Sequence, residues 1–68
     1  QRAIRKDRQK VTTLLLQSDV AFVIDKSHAL KLLEQAKAII DKSFPDDKDL
    51  MLTYNSKAGH LRKYGYSV

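Results

Sequence analysis

The segment HALKLLEQAKAII, residues 28–40, constrains the fold more than any other part of the chain. Leu30, Leu33, Ala36, Lys37 and Ile40 fall on adjoining rows at helical spacing, with Ala29, Leu32 and Ile39 beside them. This is a helix with an apolar face wide enough to touch two neighbours at once. Ala29 and Ala36, seven residues apart, place small side chains at two contact points of that face. Helix axes lie about 8–10 Å apart depending on the residues at the contact. Alanines there let another helix press in closely.

The rest of the chain supplies candidate neighbours. Val11, Leu14, Leu15, Ser18, Ala21 and Phe22 recur at spacings of three and four, which predicts a first helix over about 3–24. VAFVI, residues 20–24, is β-branched enough for a strand, but no second strand-like run exists to pair with it. In IDKSH, residues 24–28, Asp25 or Ser27 can cap the next helix, and Lys26 suits the last turn of the previous one. The second helix is expected over about 27–42. In KSFPDDKD, Pro45 disfavours helix at Phe44, and Asp46 or Asp47 offers a cap, with Asp49 favouring the positive end of a third helix. That helix is expected over about 47–64, with Leu50, Met51, Tyr54, Ala58 and Leu61 as its stripe and Gly65 as its stop. Gly59, inside it, costs roughly 1 kcal/mol relative to alanine, which a close backbone approach would justify. Short connections make the helices antiparallel neighbours in an all-α fold.

Chain length limits what such helices achieve alone. Sixty-eight residues bury only about 60% of the surface the unfolded chain exposes. Cysteine is absent, and the two histidines, His28 and His60, stand 32 positions apart, so neither disulfides nor a metal-ligand cluster is expected. No cofactor is expected either. Support must come from helix packing, a neighbouring chain or a partner. The start at Gln1 and the stop at YGYSV are those expected of a fragment or the ordered part of a longer protein. VAFVI, the longest apolar run, is too short for a signal core or a membrane span. Together with the lack of cysteine, that favours an intracellular setting and no membrane partner.

The net charge of +5 belongs to the ends. Residues 1–10 carry Arg2, Arg5, Lys6, Arg8 and Lys10 against Asp7 alone, a net of +4. Residues 11–50 carry five lysines against seven acids, and residues 51–68 add Lys57, Arg62 and Lys63. We therefore divide the chain into a basic extension of the first helix, 1–10, and a helical body, 11–68.

The small–large–small spacing of Ala29, Leu33 and Ala36 is followed by Tyr54, Ala58, Leu61 and Gly65, an aromatic–small–apolar–glycine series. This pairing resembles the tetratricopeptide repeat, a helix–turn–helix unit that stacks into an α-solenoid. ALKLLEQAKAIID, residues 29–41, looks like the second helix of one repeat, and LMLTYNSKAGHLRKYG, residues 50–65, like the first helix of the next. The long proline–acid connection is similar to that of kinesin light-chain repeats. The chain would hold about one and a half repeats, with residues 11–28 fitting loosely as the preceding first helix. Lys57 departs from the pattern at a position usually apolar, and Ser56 replaces what is often a second asparagine.

The resemblance implies a non-enzymatic scaffold that binds a protein partner, or subunits of a larger assembly, on the face lined by first helices. Asn55 matches a position whose amide holds the backbone of a bound peptide, with Ser56 assisting. Arg62, and less directly Lys63, match groove positions suited to an acidic group. Too few repeats are present to cover their own faces, so Met51, Leu61 and Tyr64 are expected to lie partly uncovered. Read from the residues alone, the same helices make an ordinary three-helix bundle.

Other chemistries fit less well. No serine lies in a readable arrangement with a histidine and an acid, which argues against an enzyme. DDKD lacks the glycine and spaced terminal glutamate of a calcium loop, and capping explains it. The alternative function is nucleic-acid binding, with Arg2, Arg5, Lys6, Arg8 and Lys10 contacting phosphates in a salt-sensitive way. No aromatic platform or helix-turn-helix signature accompanies those cations.

Overall fold

Three α-helices carry the chain in the computed structural model: α1 (Arg2–Ile24), α2 (Lys26–Ser43) and α3 (Lys48–Lys63). The structure describes residues 2–68, and side chains from residue 6 onward. Among the described residues there is no strand, so VAFVI closes α1 as helix.

Each boundary has a local cause. Asp25 is the one extended residue between α1 and α2, at φ −153° and ψ 106°. Its carboxylate accepts from the Ser27 amide at 3.0 Å, making Asp25 rather than Ser27 the cap. At the next connection Asp47, not Asp46, caps α3 by accepting from the Leu50 amide at 3.2 Å. The Phe44 N–H still donates to the Ile40 carbonyl at 2.8 Å, and Pro45 then carries the turn. Gly65 stops α3 with φ +90°, a left-handed conformation that only glycine adopts cheaply. The Gly65 amide donates to Arg62 O and the Tyr66 amide to Leu61 O, at 2.9 and 3.2 Å, which closes the helix end in a Schellman motif.

The core collects the residues that the apolar spacing placed inward. Val11, Leu14, Leu15 and Ala21 come from α1, and Ala29, Leu32, Leu33, Ala36 and Ile40 from α2. Leu50, Tyr54, Ala58 and Leu61 come from α3. Among the described residues Ser18 is the one buried polar residue, and its hydroxyl donates to the Leu15 carbonyl at 2.6 Å, so its burial leaves no orphaned group. α1 and α2 form an antiparallel hairpin, and α3 packs on both. Cross-contacts fix the direction of α3. Arg8 meets Asp47, Asp19 meets Lys57, and Phe22 meets His60, so α3 runs parallel to α1.

The alanines are contact points. Ala29, Ala36 and Ala58 are 1%, 0% and 0% exposed. Two expectations about α3 need correction. Leu61 is fully buried rather than partly uncovered, because α3 settles deeply enough to bring it into the common core. Gly59 marks no close approach, since a β-carbon built there meets nothing within 4 Å. Met51 and Tyr64 are exposed. Lys57, the polar residue at a usually apolar position, reaches across to the Asp19 carboxylate at 2.6 Å.

Candidate functional site

Two surfaces stand out, one on α3 and one on α1. On α3, Asn55, Ser56, Arg62 and Lys63 are all exposed. A step of seven residues returns a helix to nearly the same angle, so Asn55 lies in line with Arg62, and Ser56 with Lys63. Gly59 sits between the pairs, one turn from each, with open space above it. Leu52, 67% exposed, extends this strip toward the start of the helix. The four residues singled out from the sequence thus share one helix face with a bare backbone patch at its centre. Arg62 is not wholly free: its Nε donates to the Val68 carbonyl at 3.3 Å and holds the C-terminal segment against the helix.

The basic extension is less uniform than its sequence suggests. Lys6 and Lys10 are exposed, and both border a shallow groove with Gln9, Thr13, Leu14 and Gln17. Arg8 is engaged within the chain, its Nε 3.1 Å from Asp47 Oδ2. The Leu50 amide, with Arg8 beside it, holds the Asp47 carboxyl below the usual carboxylate range. Arg8 is thus part of the cap that starts α3, tying α1 to the α2–α3 connection. Arg2 and Arg5 lie outside the residues whose side chains are described.

On α1 the exposed residues that stand out are apolar, and the sequence did not single them out as a surface. Leu16, Val20, Val23 and Ile24 are 62%, 63%, 81% and 79% exposed. They follow each other by four, three and one positions along the side opposite Val11, Leu15, Ser18 and Phe22. Val20 and Ile24 also wall a concave area with Gln17, Ala21, Asp25 and His28 at the α1–α2 elbow. From Val20 to Ile24 the helix is apolar in every direction, the pattern of a helix with neighbours on both sides. VAFVI reads as the end of the first helix, and its all-round apolar turn is the signal in the sequence for this outer row.

Among the described residues no group of three histidine, cysteine or acidic side chains gathers to hold a metal ion. None of the described helices is long and apolar enough to cross a membrane. Compared with protein-family models, curated proteins and solved structures, the chain matches none.

Proposed function

We propose that the chain is a tetratricopeptide-like interaction module, about one and a half repeats of an α-solenoid, that holds a protein partner inside the cell and carries out no chemistry on it. The observation that carries this reading is the row of Leu16, Val20, Val23 and Ile24, standing in water on the side of α1 opposite the core. Apolar rows of this kind mark contact surfaces. Two further features support it. α3 lies parallel to α1 and packs on both helices of the preceding hairpin, the relation that successive first helices hold in a helical stack. The contact points are alanines with no more than 1% exposure. In this reading the strip of Asn55, Ser56, Arg62 and Lys63 grips a peptide, the amide meeting backbone and the cations meeting acidic groups.

The alternative, a phosphate-binding basic arm, is weakened by Arg8, whose guanidinium is already committed to Asp47.

A photo-crosslinking residue placed at Val20 and, separately, at Asn55 tests the proposal in cells. Discrete protein adducts at both positions, lost from the Val20 probe when Val23→Asp is added, are the expected result. Adducts to nucleic acid, or none at either position, would overturn it. In parallel, anisotropy of a labelled duplex should show no steep salt-dependent binding.

A further inference from the structure

Phe22, in the last turn of α1, and Tyr64, just past the end of α3, meet edge to face, their centroids 5.5 Å apart and their planes at 67°. The Lys26 ammonium lies over both rings, 4.9 Å from the Phe22 centroid and 4.7 Å from that of Tyr64. Lys26 is the first residue of α2, where the positive end of a helix disfavours a cation. Its side chain folds back instead to the pole where α1 ends at Ile24 and α3 ends at Lys63. Both of those helix ends are negative. Two ring faces therefore converge on one ammonium group, on residues that stand at the ends of α1 and α3.

We propose that this corner is a binding site for a quaternary ammonium group, with Lys26 acting as an internal plug. The electron-rich ring faces attract a cation in general, and they suit a methylated one best. A primary ammonium is compact and strongly hydrated, so it keeps much of its interaction with water. A quaternary ammonium is weakly hydrated and lays methyl groups against the rings. The walls are suited to exchange. Phe22 is half-buried against the core and flanked by His60 at 6.1 Å, which fixes one wall. Tyr64 is 61% exposed, which leaves the corner reachable. Arg62 and Lys63 are exposed on the same helix end, where water and salt screen their charge. The ligand chemistry is carried by trimethyllysine on a protein or by a choline headgroup.

The test uses the whole chain and Lys26→Ala, titrated with tetramethylammonium while NMR follows the ring protons of Phe22 and Tyr64. Saturable binding is expected, roughly fivefold tighter in Lys26→Ala than in the unaltered chain, since the two cation–π contacts of Lys26 no longer compete. Tyr64→Leu, at an exposed position that leaves the core intact, should abolish it in the Lys26→Ala background. Choline should bind more tightly than 3,3-dimethylbutanol, its neutral isostere. Two further ligands, a trimethyllysine peptide and a phosphocholine micelle, separate the carriers by which binds more tightly. Absence of saturable binding in Lys26→Ala, persistence of binding in Tyr64→Leu, or equal affinity for the neutral isostere would each overturn the proposal.

Discussion

Replacing Ala36 by leucine tests the close helix contact on which the fold rests. Ala36 is 0% exposed and lies among Leu32, Leu33 and Ile40 in the shared core. Leucine there adds three carbons at a point with no free surface. Overpacking of a filled site costs typically about 1–3 kcal/mol. For a domain of this size each kcal/mol lowers the melting temperature by roughly 4–8 °C. Ala36→Leu should therefore melt about 5–20 °C below the unaltered chain. Ala38, two residues further on, is exposed on the same helix, and Ala38→Leu should stay within about 0.5 kcal/mol. Thermal and urea unfolding followed by circular dichroism measure both, and the difference between the variants removes any general effect of leucine on helix propensity. If Ala36→Leu matched Ala38→Leu, no helix would be pressing on that alanine.

Three more predictions concern the joints. Asp47→Asn should destabilise the chain at neutral pH, and the gap should close as pH falls below about 4. The Asp47 carboxyl is held below its ordinary value by the Leu50 amide and Arg8, so its contribution is present above that value and disappears on protonation; melting curves from pH 7 to pH 3 check the sign. Lys57→Met should change stability by no more than about 1 kcal/mol, because a pair with a half-exposed acid contributes little, and a loss near 3 kcal/mol would show that the Asp19–Lys57 bridge carries the α1–α3 contact. The two glycines should respond oppositely. Gly59→Ala, helical with open space at the β-carbon, should gain about 0.5–1 kcal/mol, whereas Gly65→Ala, at φ +90°, should lose about 1 kcal/mol or more; urea midpoints measure both.

How far the sequence reaches is plain from particular residues. The helix ends were legible because capping chemistry is local: Asp25, Asp47 and Gly65 act within three residues of themselves. The inward faces were legible because a 3.6-residue period sorts Val11, Leu15, Ala36 and Leu61 without knowledge of any neighbour. Contacts between helices were not. Whether Arg8 faces solvent or Asp47, whether Leu61 is covered, and whether Gly59 meets a backbone all depend on helix placement. The outer row on α1 was obscured because VAFVI is apolar at every position, and only the packing of the other helices separates Phe22, facing inward, from Val20 and Val23, facing out. The Lys26 corner joins Phe22 and Lys26 to Tyr64, 42 and 38 positions away in the chain, beyond any local pattern.

The central claim is that α3 seats parallel to α1 on the α1–α2 hairpin while the outer row of α1 stays uncovered by the chain itself. Nuclear Overhauser contacts in dilute solution test it most directly. The account predicts cross-peaks between the rings of Phe22 and Tyr64, and none from Val20 or Val23 methyls to any α3 side chain. Cross-peaks joining Phe22 to Leu50, at the opposite end of α3, would contradict it.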